Sequence, residues 1–346
     1  MDTQCWVVPG ERSTHLFRLP DSGKARTEAL TDLAWVKEFV RLTPRVFMRR
    51  DVFNGMRWWE RRKAQVFAVG HGVRTAVLCG LAAAEVHGLP TLNLGRVETI
   101  DLCLPENRRP PSRSKWRRNV RYHDRLLPLD EVEIVNGLRV TSVPRTFVDI
   151  LLWHGELEAL AFIESALVRR VLGRGKATAA AVRRYLLARR GRPGVRRALR
   201  LLGRAVDSAE SVWETYARWI LERSRKELGI RRIDVQAVVC TRSEYGELQK
   251  RRIDLLIDGW LQVEIDGDVK YDPEHLQVQG HGLVEVLQDE RLRQIQIANQ
   301  GYHPLRLSPR ELRDGLIPMV SRLLQLNPNR KSPGRHVVPI AEPLAA

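Results

Sequence analysis

The chain has 346 residues, of which 43% are hydrophobic and 29% charged, with a formal net charge of +17. This length suits more than one domain, and the composition permits real cores, which excludes a wholly disordered chain. The basic excess points to a polyanionic partner, because Lys and Arg displace counterions from phosphates, or else to an Arg-rich solvated surface.

Cys5, Cys79, Cys103 and Cys240 lie far apart with no CxxC pair, which argues against structural zinc and fits a reducing compartment. The opening "MDTQCWVVPGERSTH" lacks the basic-then-apolar order of a secretory signal, and the best apolar stretch, "TAVLCGLAAA", is too short to span a bilayer. A cytoplasmic protein with no membrane partner is expected.

In chain order, residues 1–75 read as a degenerate helical region with room for a winged helix. "TEALTDLAWVKEFV" has helical apolar spacing, and "RVFMRRDVFNGMRWWERRK" reads as a surface helix with Trp58 or Trp59 turned into a core. Residues 76–155 read as a small α+β domain. It holds a short helix closed by Gly88 and Pro90, a strand in "RVETIDLCLP", and a hairpin at Asn136-Gly137. A helix then starts after Ser142, with Pro144 in its first turn. Residues 156–205 form a basic helical connector, whose Arg clusters read as a solvated face or as phosphate contacts.

Residues 206–320 have the element order α-β-β-β-α-β-α. The first helix has Asp207 and Glu210 at capping-box spacing and ends at Gly229. Ser308, Pro309 and Glu311 open the last. The tail, 321–346, is expected to be disordered.

Within this segment "RRIDLLIDGWLQVEIDGDVKY" gathers five acids in a basic chain. Its two strands carry apolar residues on odd numbers and acids on even ones. A two-residue turn would set odd against even. A three-residue loop, Asp258-Gly259-Trp260, pairs Ile257 with Leu261 and puts all the apolar residues on one face. Asp254 then falls across from Glu264, with Asp266 two residues on. Carboxylates so close repel unless a proton or cation lies between them. Mg²⁺, or Mn²⁺, suits such oxygens, and a metal-bound water with neighbouring Lys and Arg suits phosphodiester hydrolysis. The plainer alternative is an acid pair on a solvated sheet face, offset by Arg251, Arg252 and Lys270.

The αβββαβ order around Asp254 and Glu264 resembles the PD-(D/E)xK, or restriction-endonuclease-like, superfamily. Within it, "RIDLLIDGWLQVEIDGDVKY" and "DERLRQIQIANQGYHPLRLS" resemble the very-short-patch-repair-type endonuclease domains of actinobacterial proteins, over about residues 207–315. The resemblance implies a metal-dependent DNA endonuclease. Asp254 and Glu264 would be metal ligands, Glu210 a supporting helix acid with Glu214 in reserve, and Glu290 and Arg293 polar helix positions. Arg251, Arg252 and Arg293 would contact DNA. The superfamily's Lys two residues after the second acid is here Asp266, so Lys270 would supply the positive charge, or activity is lost.

"GLAAAEVHGLP" and "VNGLRVTSVPRTFVDIL" resemble antitoxins of the type IV abortive-infection kind, over about residues 40–155. That implies DNA binding by the front half and a second reading of the whole chain: a non-catalytic DNA-binding regulator with a lapsed nuclease fold. No Walker A, GxSxG, HExxH or GxGxxG motif occurs. The histidines, including His123 and His154, read as structural, while His275 and His281 follow the acids and would have to fold back to reach them.

Overall fold

A computed structural model describes residues 4–8, 14–18, 37–106, 108–171, 174–242, 247–265, 283–332 and 336–337. Asp266, Asp268, Lys270, His275 and His281 lie outside them, as does the side chain of Glu290. The chain divides into two compact units, one of residues 1–159 and 169–198, the other of 160–168 and 199–346.

The first unit is mixed α and β. Strands β1 (Gln4–Val8), β2 (Thr14–Arg18), β3 (Phe39–Arg41) and β4 (Val46–Arg49) form an antiparallel sheet in the order β1-β2-β4-β3. Helices α1 (Arg50–Gly55) and α2 (Trp58–Gly72) follow. Among the described residues the front segment thus combines a four-stranded sheet with two helices, where a helical region was expected. Aromatic and β-branched residues in "VFMR" and "THLFR" favour the pleat. Trp58 and Trp59 are 37% and 45% exposed, so neither is turned into the core as expected. The opposite face of α2, through Ala64, Phe67 and Ala68, fills the core instead.

A second sheet has the order β7-β6-β5-β9-β8, built from β5 (Val77–Leu78), β6 (Ile100–Cys103), β7 (Val120–His123), β8 (Val132–Val135) and β9 (Leu138–Thr141). Helices α3 (Gly80–Val86), α4 (Val143–Trp153) and α6 (Ala179–Leu187) belong to the same unit, while α5 (Glu156–Val168) and α7 (Val195–Leu202) are each divided between the two units. The β8–β9 hairpin turns at Asn136 and Gly137, with φ of 50° and 73°, and sets Val135 opposite Leu138. Those positive angles are what a two-residue type I′ turn requires. Ser142 is the N-cap of α4, with Pro144 in its first turn, as the sequence indicates.

The second unit contains α8 (Val212–Ser224), β10 (Ile233–Arg242), β11 (Leu248–Ile257), β12 (Leu261–Ile265), α9 (Leu283–Asn299), β13 (His303–Leu307) and α10 (Pro309–Leu326). The expected α-β-β-β-α-β-α order is present. Its sheet runs β13-β12-β11-β10-β14, where β14 is His336–Val337. β12 pairs antiparallel with β11 and parallel with β13. β14 pairs with Val238 and Val239, so part of the tail expected to be disordered joins the sheet edge.

The cap of α8 differs from the expectation. Asp207 and Glu210 do not form a capping box. Ser211 is the N-cap, its Oγ accepting from the Glu214 N–H at 3.2 Å, while the Glu210 N–H donates to Glu214 Oε2 at 3.0 Å. Ser211 and Glu214 have the same spacing as the expected pair, four residues on, and Ser is a strong N-cap. Ser308 and Glu311 do form the expected capping box on α10. No helix among the described residues is long and apolar enough to cross a membrane.

Candidate functional site

The β11–β12 hairpin fixes the site. Ile257 pairs with Leu261 and Leu255 with Val263, the register of a three-residue loop. Asp258 sits in that loop at φ 48°, its Oδ1 accepting from the N–H groups of Arg231 and Arg232 at 2.9 and 2.7 Å. This acid ties down a turn. Asp254 and Glu264 follow one step beyond the last pair, Leu255–Val263, where continuing the register would set them across from each other. Asp254 Oδ2 accepts from the Ile265 N–H at 3.1 Å.

The row extends across the sheet. Val235 pairs with Leu255 and Ala237 with Ile253, which brackets Gln236 opposite Asp254. Glu264 pairs with Arg306 on β13. Four strands thus contribute Gln236, Asp254, Glu264 and Arg306 at consecutive positions of one cross-sheet line. Because side chains alternate across a pleat, these belong to the even-numbered face. On that face Leu256 is 0%, Gln262 2% and Glu264 6% exposed, while Asp254 is half-buried and Arg252 exposed. The acid pair is therefore only partly covered.

α8 places Glu214, 6% exposed, against this row. Its Oε2 accepts from Gln236 Nε2 at 2.7 Å and its Oε1 from Ser211 Oγ at 2.8 Å. Burial, and then the charge of Asp254, push its carboxyl up to about 7, against the pull of the bonds from Ser211, Glu210 and Gln236. Gln236 itself has φ 52° in the middle of β10 and is 3% exposed. Such an angle is uncommon for a non-glycine residue, and strained backbone of this kind clusters at functional sites.

The remaining expected residues are distributed differently. Glu210 is exposed and its carboxylate pairs with Arg252 at 2.5 Å. Glu214, the reserve position, takes its place. Arg293, on α9, donates to Glu264 Oε1. Arg251 Nη2 donates to Gln249 and Gln296 at 2.5 and 2.8 Å. Gln236 and Arg306 were missed by sequence reasoning, although extending the hairpin's even-number register to the flanking strands would have found them.

Asp254 and Glu264 offer hard carboxylate oxygens, and Glu214 stands near enough to Asp254 for that charge to add to burial in raising it. This donor chemistry fits a divalent cation. Among the described residues, no group of three or more His, Cys, Asp and Glu side chains is arranged to hold a metal ion. The first unit has its own buried acid, Asp101, 1% exposed, whose carboxylate meets His123 Nε2 at 2.8 Å and His154 Nε2 at 3.1 Å.

No protein family, curated protein or solved structure matches the chain.

Proposed function

We propose that the second unit is a metal-dependent DNA endonuclease of restriction-endonuclease-like fold, hydrolysing phosphodiester bonds. The observation that carries the reading is the placing of Asp254 and Glu264 on one sheet face beside the protonatable Glu214. Asp254 and Glu264 would hold Mg²⁺ or Mn²⁺. Bound there, the cation supplies charge neutralisation at the scissile phosphate and a more acidic water.

The chain's own groups have separate tasks. Glu214, titrating near neutral pH, holds or releases a proton beside the reacting phosphate. Gln236 orients it. Arg252, exposed on β11, meets the DNA backbone with Arg251 and Arg293 around the acids. Asp266 and Lys270 keep their sequence-based roles as supporting acid and positive charge.

A specific contact favours a second reading. The Arg293 guanidinium already neutralises Glu264, as in a lapsed site that binds DNA as a regulator without cutting it. Titration calorimetry with Mg²⁺ and Mn²⁺, followed by DNA retention at rising salt, separates the two. The endonuclease reading expects cation binding that Asp254→Asn abolishes. Metal-independent DNA binding, with no heat from either cation, supports the regulator.

A further inference from the structure

The first unit contains a guanidinium cluster that the proposed nuclease does not use. Glu131, 0% exposed, accepts from Arg145 Nη1 at 2.6 Å, Arg189 Nε at 2.5 Å and Arg192 Nη1 at 2.6 Å. Arg145 is 7% exposed and is further fixed by Asp149 Oδ1 at 2.9 Å and the Leu126 carbonyl at 2.8 Å. Arg189 also reaches Asp130 at 2.6 Å and lies 4.0 Å over the Tyr185 ring. The Arg side chains read from sequence as a solvated face are, at these positions, drawn inward onto one buried acid.

These side chains open onto a cavity of about 290 Å³. Arg125, Arg145, Arg189 and Arg192 line it, with apolar surface from Leu126, Val148, Leu152 and Val195. Each guanidinium has five N–H donors. Arg145 Nη2, Arg189 Nη1, Arg192 Nε and Nη2, and the whole Arg125 head make no hydrogen bond among the described residues. Spare acceptors are few. Asp149 uses Oδ1 on Arg145, and its Oδ2 is sealed from solvent, which leaves Asp124 at the rim. The cavity thus has donors to give, fixed in place by Glu131, and an apolar wall beside them. Its ligand must be an acceptor-rich anion on an apolar body. A phosphate suits the guanidinium fork, which donates in pairs to its oxygens.

We propose that this cavity binds a nucleoside monophosphate group, with the phosphate on Arg125, Arg145 and Arg192 and the base against Leu126, Leu152 and Tyr185. The group could arrive as a free nucleotide or as the 5′-phosphorylated end of a DNA strand, since both present the same chemistry.

The test uses the full chain and 2′-deoxyadenosine 5′-monophosphate, titrated by calorimetry. Deoxyadenosine, which lacks the phosphate, should not bind. Arg192→Ala and Arg125→Ala should each weaken binding about tenfold, the usual effect of removing a charged hydrogen-bond donor. Arg196→Ala, exposed on α7 and outside the lining, should not. Arg125 is exposed, so its variant keeps the test valid even if loss of Arg192 from Glu131 disturbs folding. Tighter binding of a 5′-phosphorylated than a 5′-hydroxyl oligonucleotide, exceeding that of the nucleotide, assigns the strand end; otherwise the free nucleotide is assigned. No binding of the nucleotide or the phosphorylated strand overturns the proposal. Equal binding of deoxyadenosine, or equal loss in all three Arg variants, also overturns it, because the affinity would then not come from these donors.

Discussion

Glu214 and Asp254 are two carboxylates that the fold sets against each other. Glu214 comes from the first turn of a helix and Asp254 from a central strand, and burial together with the charge of Asp254 raises the Glu214 carboxyl from an ordinary 4.5 to about 7. In the folded chain Glu214 therefore holds its proton where the unfolded chain has released it. Stability from this group is greatest below pH 4.5 and declines as pH rises towards 7. The full penalty, reached above that range, is about 3 kcal/mol at about 1.4 kcal/mol per pH unit. Glu214→Gln should remove this slope and stabilise the chelator-treated protein at pH 8. Thermal melts of both proteins at pH 5 and pH 8 check it; parallel changes in the two would contradict it.

Gln236 moderates that shift. Its amide donates to Glu214 Oε2 at 2.7 Å and so favours the charged form. In Gln236→Ala the Glu214 carboxyl should titrate higher than in the parent. Carbon-detected NMR titration reads this directly. A folded variant in which Glu214 titrates unchanged would remove Gln236 from its orienting role.

Arg293→Ala should have opposite effects on folding and on cation binding. Without metal, Glu264 loses the Arg293 guanidinium from its buried carboxylate, which costs about 1–3 kcal/mol, less than for a fully buried pair because Arg293 is partly exposed. With Mg²⁺ the loss should shrink, because a cation bound only by the folded state stabilises it by mass action. The released Glu264 should also raise Mg²⁺ affinity. Chemical denaturation with and without Mg²⁺ measures both effects.

Asp101 anchors the other unit. Burial alone would raise its carboxyl, but the bonds to His123 and His154 outweigh burial and hold it below its usual range. A carboxylate with a lowered folded pKa stabilises at neutral pH and loses that contribution as the pH falls through the folded value. Asp101→Asn should cost about 3 kcal/mol or more, as when one partner of a buried pair is removed. The deficit should be largest at neutral pH and narrow in strong acid, below the ordinary carboxylate range, as urea titrations at pH 7 and pH 2 would show.

Local chemistry was legible in the sequence. Alternation set the β11–β12 register, Asn136-Gly137 marked the β8–β9 hairpin, and Ser308 with Glu311 marked a helix start. What failed depended on competition between equivalent signals or on distant contacts. Two pairs of identical spacing stand in succession before α8, and choosing Asp207–Glu210 over Ser211–Glu214 moved the helix acid by one turn. Nothing local distinguishes Trp58 and Trp59 as exposed, because the core face of α2 is made of small residues and Phe67. The capture of Arg145, Arg189 and Arg192 by Glu131 spans up to 61 residues of chain and leaves no periodic trace.

Supercoiled plasmid offers the most direct test of the Asp254–Glu264 site. Incubated with the chain and Mg²⁺ or Mn²⁺, it should be converted to nicked and linear forms. EDTA should prevent this, Asp254→Asn and Glu264→Gln should lose it, and Glu210→Gln should retain it. Plasmid left intact by the parent with either metal, or cut equally by Asp254→Asn, would contradict the account.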